Sequence, residues 1–397
     1  MVSLFWIAAA AVLAPVISRL LLRGAVPGVV LLLLFGVLLG PHALGWAGTA
    51  GGVDLLSELG LGMLFLLAGY ELDPRLLGGH SGRTAWLTWL AGLVLALGMV
   101  TLSATDADFP ARIAVAIAAT STALGTLLPI VKKDGLLGKP LGRAVLAHGA
   151  VGELGPVLAM SILLTSRSVG GALVVLALFA VAAALIGLVP QRMLDRIPGL
   201  GRLLGESSGG SEQLPVRVVF LLLLTLMMVA EVFDLDVVLG AFAAGTILRR
   251  LVASQPPSAG HPALESSLET VGYGVLIPIF FVTSGMGIDV SAVTAAPGLW
   301  LLFVLAIVLA RGIPVLLSER FVPHGENLSS RRERAQLALY ASTGLPIIVA
   351  VTQVATSSGL LSENLASTLV AAGATTVLLF PFAARLLGDR RVRTAPD

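Results

Sequence analysis

The chain has 397 residues, of which 56% are hydrophobic and 12% charged, with a formal net charge of +2 and no cysteine. Its mean hydropathy of +0.96 lies outside the range of soluble domains, in which about a quarter of residues are charged. Thiolate metal sites and disulfides are excluded, and the composition predicts an all-α polytopic membrane protein with the lipid bilayer as its main solvent.

Taken in chain order, apolar runs of about twenty residues recur, each long enough for a hydrocarbon core of about 30 Å. We place about thirteen, centred near Val12, Leu34, Leu64, Leu93, Ala118, Glu153, Leu178, Leu223, Ala243, Leu276, Leu305, Pro346 and Leu378. The first, Ser3 to Leu22, lacks a basic start and a small-residue cleavage site, so it reads as a retained span and not a signal peptide. The longest polar connection, Gln191 to Gln213, is rich in Gly and Ser and too short to fold alone. Residues 1–397 therefore read as a single transmembrane domain with no soluble regulatory domain.

Basic residues alternate with the connections. Of the 25 Lys and Arg residues, 22 fall on odd connections and the C-terminal tail, two (Arg112 and Arg167) on even ones, and Arg311 lies inside an apolar run. The positive-inside rule then puts the N-terminus outside and the C-terminus in the cytoplasm of a cell (plasma) membrane. The tail Arg390-Arg391-Val-Arg393 reads as an anchor beside anionic lipid.

Two matched pairs of segments mark an internal repeat. "LFLLAGYELD" (Leu64 to Asp73) resembles "FFVTSGMGID" (Phe280 to Asp289), and "AATSTALGTLLP" (Ala118 to Pro129) resembles "LYASTGLPIIVA" (Leu339 to Ala350). The members of each pair lie seven expected helices apart and so cross in opposite directions, which predicts inverted-topology repeats over about 26–189 and 236–388. Pro129 and Pro346 remove hydrogen bonds to the carbonyls of Gly125 and Ser342, and the neighbouring Gly, Ser and Thr residues loosen the helix further. Two discontinuous helices are expected, at Thr120, Ser121 and Thr122 and at Ser342, Thr343 and Gly344. An ordinary proline kink closed by the hydroxyls is the alternative.

Glu153 sits in the run "HGAVGELGPV" (His148 to Val157), where Pro156 frees the carbonyl of Gly152. A carboxylate beside neutral oxygens suits a small monovalent cation and also binds a proton, so competition for one site couples the two. Gly152, Glu153, Thr120, Ser121 and Thr122 are the expected ion and proton ligands, with Glu153 as the only charged one. Arg311 is either a charge partner or a side chain reaching the membrane interface. His148 and Glu71 are candidates for tuning the pH response, and a packing role for His148 is the alternative. There is no nucleophile–base pair, His and acid metal cluster or phosphate loop, so neither an enzyme nor a cofactor nor a nucleic-acid partner is expected.

The order "GVLLGPHALG", "LGLGMLFLLAGYELDP", "AATSTALGTLLPIVKKDGLLGKPLGR", an intramembrane acid, "VLGAFAAGTIL" and "IPIFFVTSGMGID" resembles the cation:proton antiporter-2 family over nearly the whole chain. The resemblance implies exchange of Na+ or K+ for H+, a core beside a dimerisation domain, two crossing broken helices, elevator-like movement and a homodimer. It places the family's acidic pair on Gly152-Glu153, its unwound segment on Thr120 to Thr122 and its basic residue on Arg311. Here Glu stands where the family has Asp, and Gly stands where it has Asp, Asn or Gln. A single acid implies one cation for one proton, an electroneutral exchange. Regulation by a soluble domain would require a separate subunit. A channel-like protein, or a non-transporting sensor or subunit keeping the antiporter fold, is the alternative.

Overall fold

The computed structural model describes residues 1–397 except 21–25, 104–107, 165–168, 197–212, 254–260, 322–327, 329 and 389–397, with 129, 133, 189–196, 261 and 262 described by backbone alone. Among the described residues the secondary structure is helical, without strands. The basic tail 390–393 lies outside them, as does most of the expected polar connection.

Among the described residues, eleven helices are long and apolar enough to cross a bilayer. Each of the thirteen expected centres falls within a helix, yet two helices are shorter. Gly28–Leu39 has 12 residues, and Val237–Ala253 has 17, with Arg249 and Arg250 near its end. By length, the described residues supply eleven full crossings. Residues 191–196 of the expected polar connection are helical, because the Val169–Arg196 helix carries on through its polar end. That end contains Gln, Arg, Met and Leu, all good helix formers, and no glycine.

Burial separates lipid-facing helices from internal ones. Only 17% of the Val169–Leu188 span is buried, against 83% of Arg331–Ser357 and 78% of Pro140–Leu163. Lipid tails are as apolar as Leu, so the internal helices are the ones that can carry hydroxyls and charges.

The chain divides into two compact units, one of residues 1–48, 73–160 and 282–397 and the other of 49–72 and 161–281. The division does not follow the expected repeats, since each unit takes helices from both halves. In the smaller unit, Val53–Glu71 and Val237–Ala253 pack backbone against backbone. A Cβ on Gly69 would lie 2.2 Å from the Phe242 carbonyl oxygen, and one on Gly245 2.0 Å from that of Leu66. Arg249 Nη1 closes the end of this pair by donating to the carbonyls of Tyr70 (2.8 Å) and Glu71 (3.0 Å), a cation on the negative end of a helix dipole.

The matched aspartates of the repeat have the same local role. Asp73 accepts from the Arg75 amide at 2.9 Å and starts Pro74–Leu77; Asp289 accepts from the Ser291 amide at 2.8 Å and starts Val290–Ala295. Two π-helical turns, Gly272–Leu276 and Val308–Gly312, each precede an Ile-Pro pair, Ile277-Pro278 and Ile313-Pro314. Proline cannot donate to the carbonyl four residues back, and a widened turn accommodates the loss.

Candidate functional site

Two interrupted helices meet in the larger unit. The Phe109–Ala119 helix stops at Thr120 and resumes as Leu124–Lys133; Arg331–Ala341 stops at Ser342 and resumes as Leu345–Ser357. In the second, Pro346 sits in the first turn after the break, where a missing N–H removes no helical bond. The first break falls on the expected Thr120, Ser121 and Thr122 and not at the Gly125 carbonyl that Pro129 frees. It opens at Thr120–Ala123, and Gly125 lies inside the helix that follows.

The reason is tertiary. Pro156 leaves the Gly152 carbonyl without its helical donor, and the Thr122 amide takes it at 2.8 Å; the Ala123 amide donates to the Thr343 carbonyl at 2.7 Å. The last two amides of the open segment are thus satisfied by carbonyls that two other elements leave available. The expectation of an unpaired Gly152 carbonyl beside Glu153 is thereby corrected, since the proline opened that acceptor and the first break filled it.

The hydroxyls are oriented by the same contacts. Ser121 Oγ donates to the Ala118 carbonyl (2.8 Å) and the Gly344 carbonyl (3.2 Å), and Thr122 Oγ1 to the Ala341 carbonyl. Thr120 Oγ1 turns back to the Ala116 carbonyl at 3.0 Å. In the second break, Ser342 Oγ and Thr343 Oγ1 donate to the carbonyls of Ala338 (2.8 Å) and Leu339 (3.2 Å) on their own helix. The breaks touch so closely that a Cβ on Gly344 would lie 2.3 Å from Ser121 Oγ.

Arg311 is buried at 1% exposure in the second π-turn, so it does not reach the membrane interface. Its Nε donates to Thr122 Oγ1 at 2.9 Å and its Nη2 to the His148 carbonyl at 2.6 Å, while Nη1 has no hydrogen-bond partner among the described residues. A Cβ on Gly152 would lie 2.4 Å from Thr122 Oγ1 and 2.6 Å from Arg311 Nη2. The guanidinium and the hydroxyl together fill the space that a side chain at position 152 would take. Glycine before the acid is what admits the arginine.

Glu153 is buried at 4% exposure, on the same helix and one residue beyond Gly152. Two residues further on, Gly155 lies against the Trp89 indole, 2.6 Å from where its Cβ would be. The structure therefore links Ser121, Thr122, Gly152, Arg311, Thr343, Gly344 and the backbone of His148 through hydrogen bonds and close approaches, with Thr120 and Ser342 at the starts of the two breaks and Glu153 in the helix that supplies Gly152. Glu71, half-buried at the end of Val53–Glu71, belongs to the other unit. Sequence reasoning missed Glu319. It is 4% exposed, with Oε1 3.8 Å from His148 Nε2. Its position near the end of an apolar run beside Arg320 reads as interfacial, and only its burial marks it out.

An all-helical membrane fold with two interrupted helices joined at their breaks narrows the class, and comparison with known proteins supplies the family. A family model, sodium/hydrogen exchanger, transmembrane, matches residues 8–387, and the chain belongs to that family. It is 25% identical over 315 residues to a Na(+)/H(+) antiporter of Enterococcus hirae, covering 78% of this chain and 79% of that protein. With the glutathione-regulated potassium-efflux system protein KefC of Cronobacter sakazakii it shares 29% identity over 308 residues, 74% of this chain and 46% of KefC. YjbQ of Bacillus subtilis is 24% identical over 372 residues, and the match spans 56% of its length. The structure of the sodium proton antiporter MjNhaP1 from Methanocaldococcus jannaschii at pH 8 has the same fold, with a TM-score of 0.66, 17% identity and 98% of each chain covered.

Proposed function

We propose that the protein is a secondary antiporter that exchanges a monovalent cation, Na+ or K+, for H+ across a cell membrane, with Glu153 as the carboxylate that binds either. The carrying observation is the concentration of polar groups where two broken helices meet. Thr120, Ser121, Thr122, Thr343, Glu153 and Arg311 are all buried at 4% exposure or less in a chain that is otherwise strongly apolar. Ionisable groups at such depth are costly and mark a transport path. The relatives' names support both cations, sodium in the Enterococcus protein and potassium in KefC.

In this reading Glu153 empties its proton to one side and takes a cation there, and the reverse happens on the other side. Arg311, held on Thr122 and the His148 carbonyl, supplies a fixed positive charge that makes the ionised Glu153 tolerable in a water-poor core. A single exchanging acid gives one charge in for one charge out, hence electroneutral flux. Thr120, Ser121, Thr122, Ser342, Thr343 and Gly344 supply the neutral oxygens and the break geometry. Alternating access through elevator-like movement, a homodimer, and an N-terminus outside with a cytoplasmic C-terminus follow from the family resemblance and the charge alternation.

The test is cation-induced proton flux in proteoliposomes, screened over sodium, potassium and pH, for the parent and Glu153→Gln. Flux in the parent with either cation, abolished by Glu153→Gln and unchanged by a clamped membrane voltage, is the expected result. Equal flux in both proteins would move the exchange to another residue. Absence of flux in the parent would favour a non-transporting role.

A further inference from the structure

At one end of the larger unit five helices close on a single apolar cluster. Val131 comes from Leu124–Lys133, Val145 from Pro140–Leu163, Val315 from Ile313–Phe321, Leu337 from Arg331–Ala341 and Ala384 from Glu363–Gly388. The ends of these helices carry Lys132, Lys139, Arg320, Arg331 and Arg332, all exposed and none paired with an acid among the described residues. Arg334 and Arg385 join them, the first donating from Nε to the Leu328 carbonyl at 3.2 Å and the second held by Asp134 at 2.8 Å. The acids at this end are engaged elsewhere. Asp134 holds Arg385, Glu333 closes a capping box with Ser330, and Glu319 is buried with Oε1 3.8 Å from His148 Nε2.

Local stability does not account for the arginines. Arg331, Arg332 and Arg334 occupy the first turn of Arg331–Ala341, the positive end of its dipole, where cations are disfavoured and acids favoured. A general bias of positive charge to one side of the membrane does not account for them either, because it would act on both units. Among the described residues of the smaller unit, the helix ends that carry Arg217, Arg249 and Arg250 carry as many acids, Glu71, Glu265 and Glu269. The unbalanced charge is confined to the unit that holds both helix breaks.

Exposed apolar side chains stand beside the cations. Leu137 is 37% exposed two residues before Lys139, and Leu386 is 54% exposed next to Arg385. Phe321 is 71% exposed, with the Arg320 guanidinium 5.7 Å from its ring centroid. A soluble phosphate would leave these apolar groups in water. An anionic headgroup that continues into acyl chains meets both the charges and the apolar surface.

We propose that this end of the larger unit is a docking surface for anionic phospholipid. The headgroup phosphate sits among Lys132, Lys139, Arg320, Arg331 and Arg332, and the acyl chains lie on Leu137, Phe321 and Leu386. Each cation near a membrane surface strengthens such binding by about fivefold, and added salt weakens it. A lipid bound to the folded unit stabilises it by mass action. The inference does not depend on which residue exchanges the ion.

The test follows the thermal midpoint of the purified full chain in detergent as phosphatidylglycerol, phosphatidylcholine or inorganic phosphate is added. Phosphatidylglycerol is expected to raise the midpoint, less so at high salt, and the other two to leave it in place. Arg331→Gln combined with Arg332→Gln should raise the phosphatidylglycerol concentration for half the effect by about twenty-fivefold, or about fivefold for each cation. Lys132→Gln combined with Lys139→Gln should shift it by a similar factor. Arg217→Gln combined with Arg250→Gln, in the smaller unit, should not shift it. A merely structural role for the arginines would lower the starting midpoint without moving the lipid concentration. An equal response to phosphatidylcholine overturns the proposal, as does a response to phosphate alone, which would make this a free-anion site. Equal shifts in the variants of the two units also overturn it. No response to any lipid overturns it and leaves the basic end to an acidic protein partner. Should the arginine variant fail to fold, the lysine variant carries the same comparison.

Discussion

The two breaks carry similar sequences and have opposite hydrogen-bonding roles. The segment Thr120–Ala123 gives: the amides of Thr122 and Ala123 and the hydroxyls of Ser121 and Thr122 reach out to the carbonyls of Gly152, Thr343, Gly344 and Ala341. The segment Ser342–Gly344 receives: its hydroxyls fold back onto their own helix, and its carbonyls accept from the other break. Among the described residues, Arg311 donates a hydrogen bond to the first break, at Thr122 Oγ1, and none to the second. A repeat can thus preserve the opening of a helix in both halves and let one half provide the donors and the other the acceptors.

The sharpest challenge to this contrast is a side chain at position 152. Gly152→Asn puts a Cβ within 2.6 Å of both Thr122 Oγ1 and Arg311 Nη2, which must displace the guanidinium from the first break. We expect cation-induced proton flux to fall by about a hundredfold or more, two powers of ten in rate. Adding Arg311→Ala should relieve the crowding and restore the thermal midpoint of the purified protein. No recovery of that midpoint would show that the arginine does not fill this space.

Next in size is the seam between the breaks. Gly344→Ala brings a Cβ within 2.5 Å of Ser121 Oγ and the Ser121 carbonyl oxygen, an overpacking worth about 1–3 kcal/mol, read as a lower thermal midpoint in detergent. The matched threonines then separate giver from receiver. Thr122→Val leaves Arg311 Nε buried without its acceptor and should destabilise by about 1–3 kcal/mol. Thr343→Val loses only a bond to its own helix and should change stability by less than about 1 kcal/mol. Equal effects would erase the distinction between the breaks.

The smallest effect is expected where the halves agree. Asp73 and Asp289 both start short helices outside the spans, so replacing either by Asn, itself a good cap, should leave the thermal midpoint nearly unchanged. The Ser291 hydroxyl, with further help from the backbone amides of Ser291 and Ala292, holds the Asp289 carboxyl below its ordinary value of 3.8 in spite of an opposing desolvation. A depressed folded value means that this contribution is fully present above 3.8 and fades only as pH falls through the lower value. A melt series from acid to neutral pH comparing the parent with Asp289→Asn should diverge only at that acid end. Divergence near neutrality would refute the assignment.

Much of the site was legible residue by residue. An acid amid apolar residues, an arginine belonging to no loop, and two Ser/Thr-rich segments near prolines all stand out because a bilayer tolerates few such groups. Glu319 did not stand out. An acid at the end of an apolar run beside an arginine looks the same whether it faces water or turns inward. The place of the first break was legible at Thr120–Thr122, but what satisfies it was hidden, because its acceptors come from residues 152 and 343.

The sequence by itself determined that the chain lives in a membrane, where its helices fall, and which residues are too polar to face lipid, because transfer from water to hydrocarbon depends on composition over one span. Only the tertiary structure decided that the Gly152 carbonyl is already taken, that glycine at 152 makes room for Arg311, and that His148 has an acid beside it. Those outcomes depend on where donors and acceptors from distant segments meet. Spacing along the chain reports that poorly once the helix carrying them is broken, since a break resets which face each residue occupies.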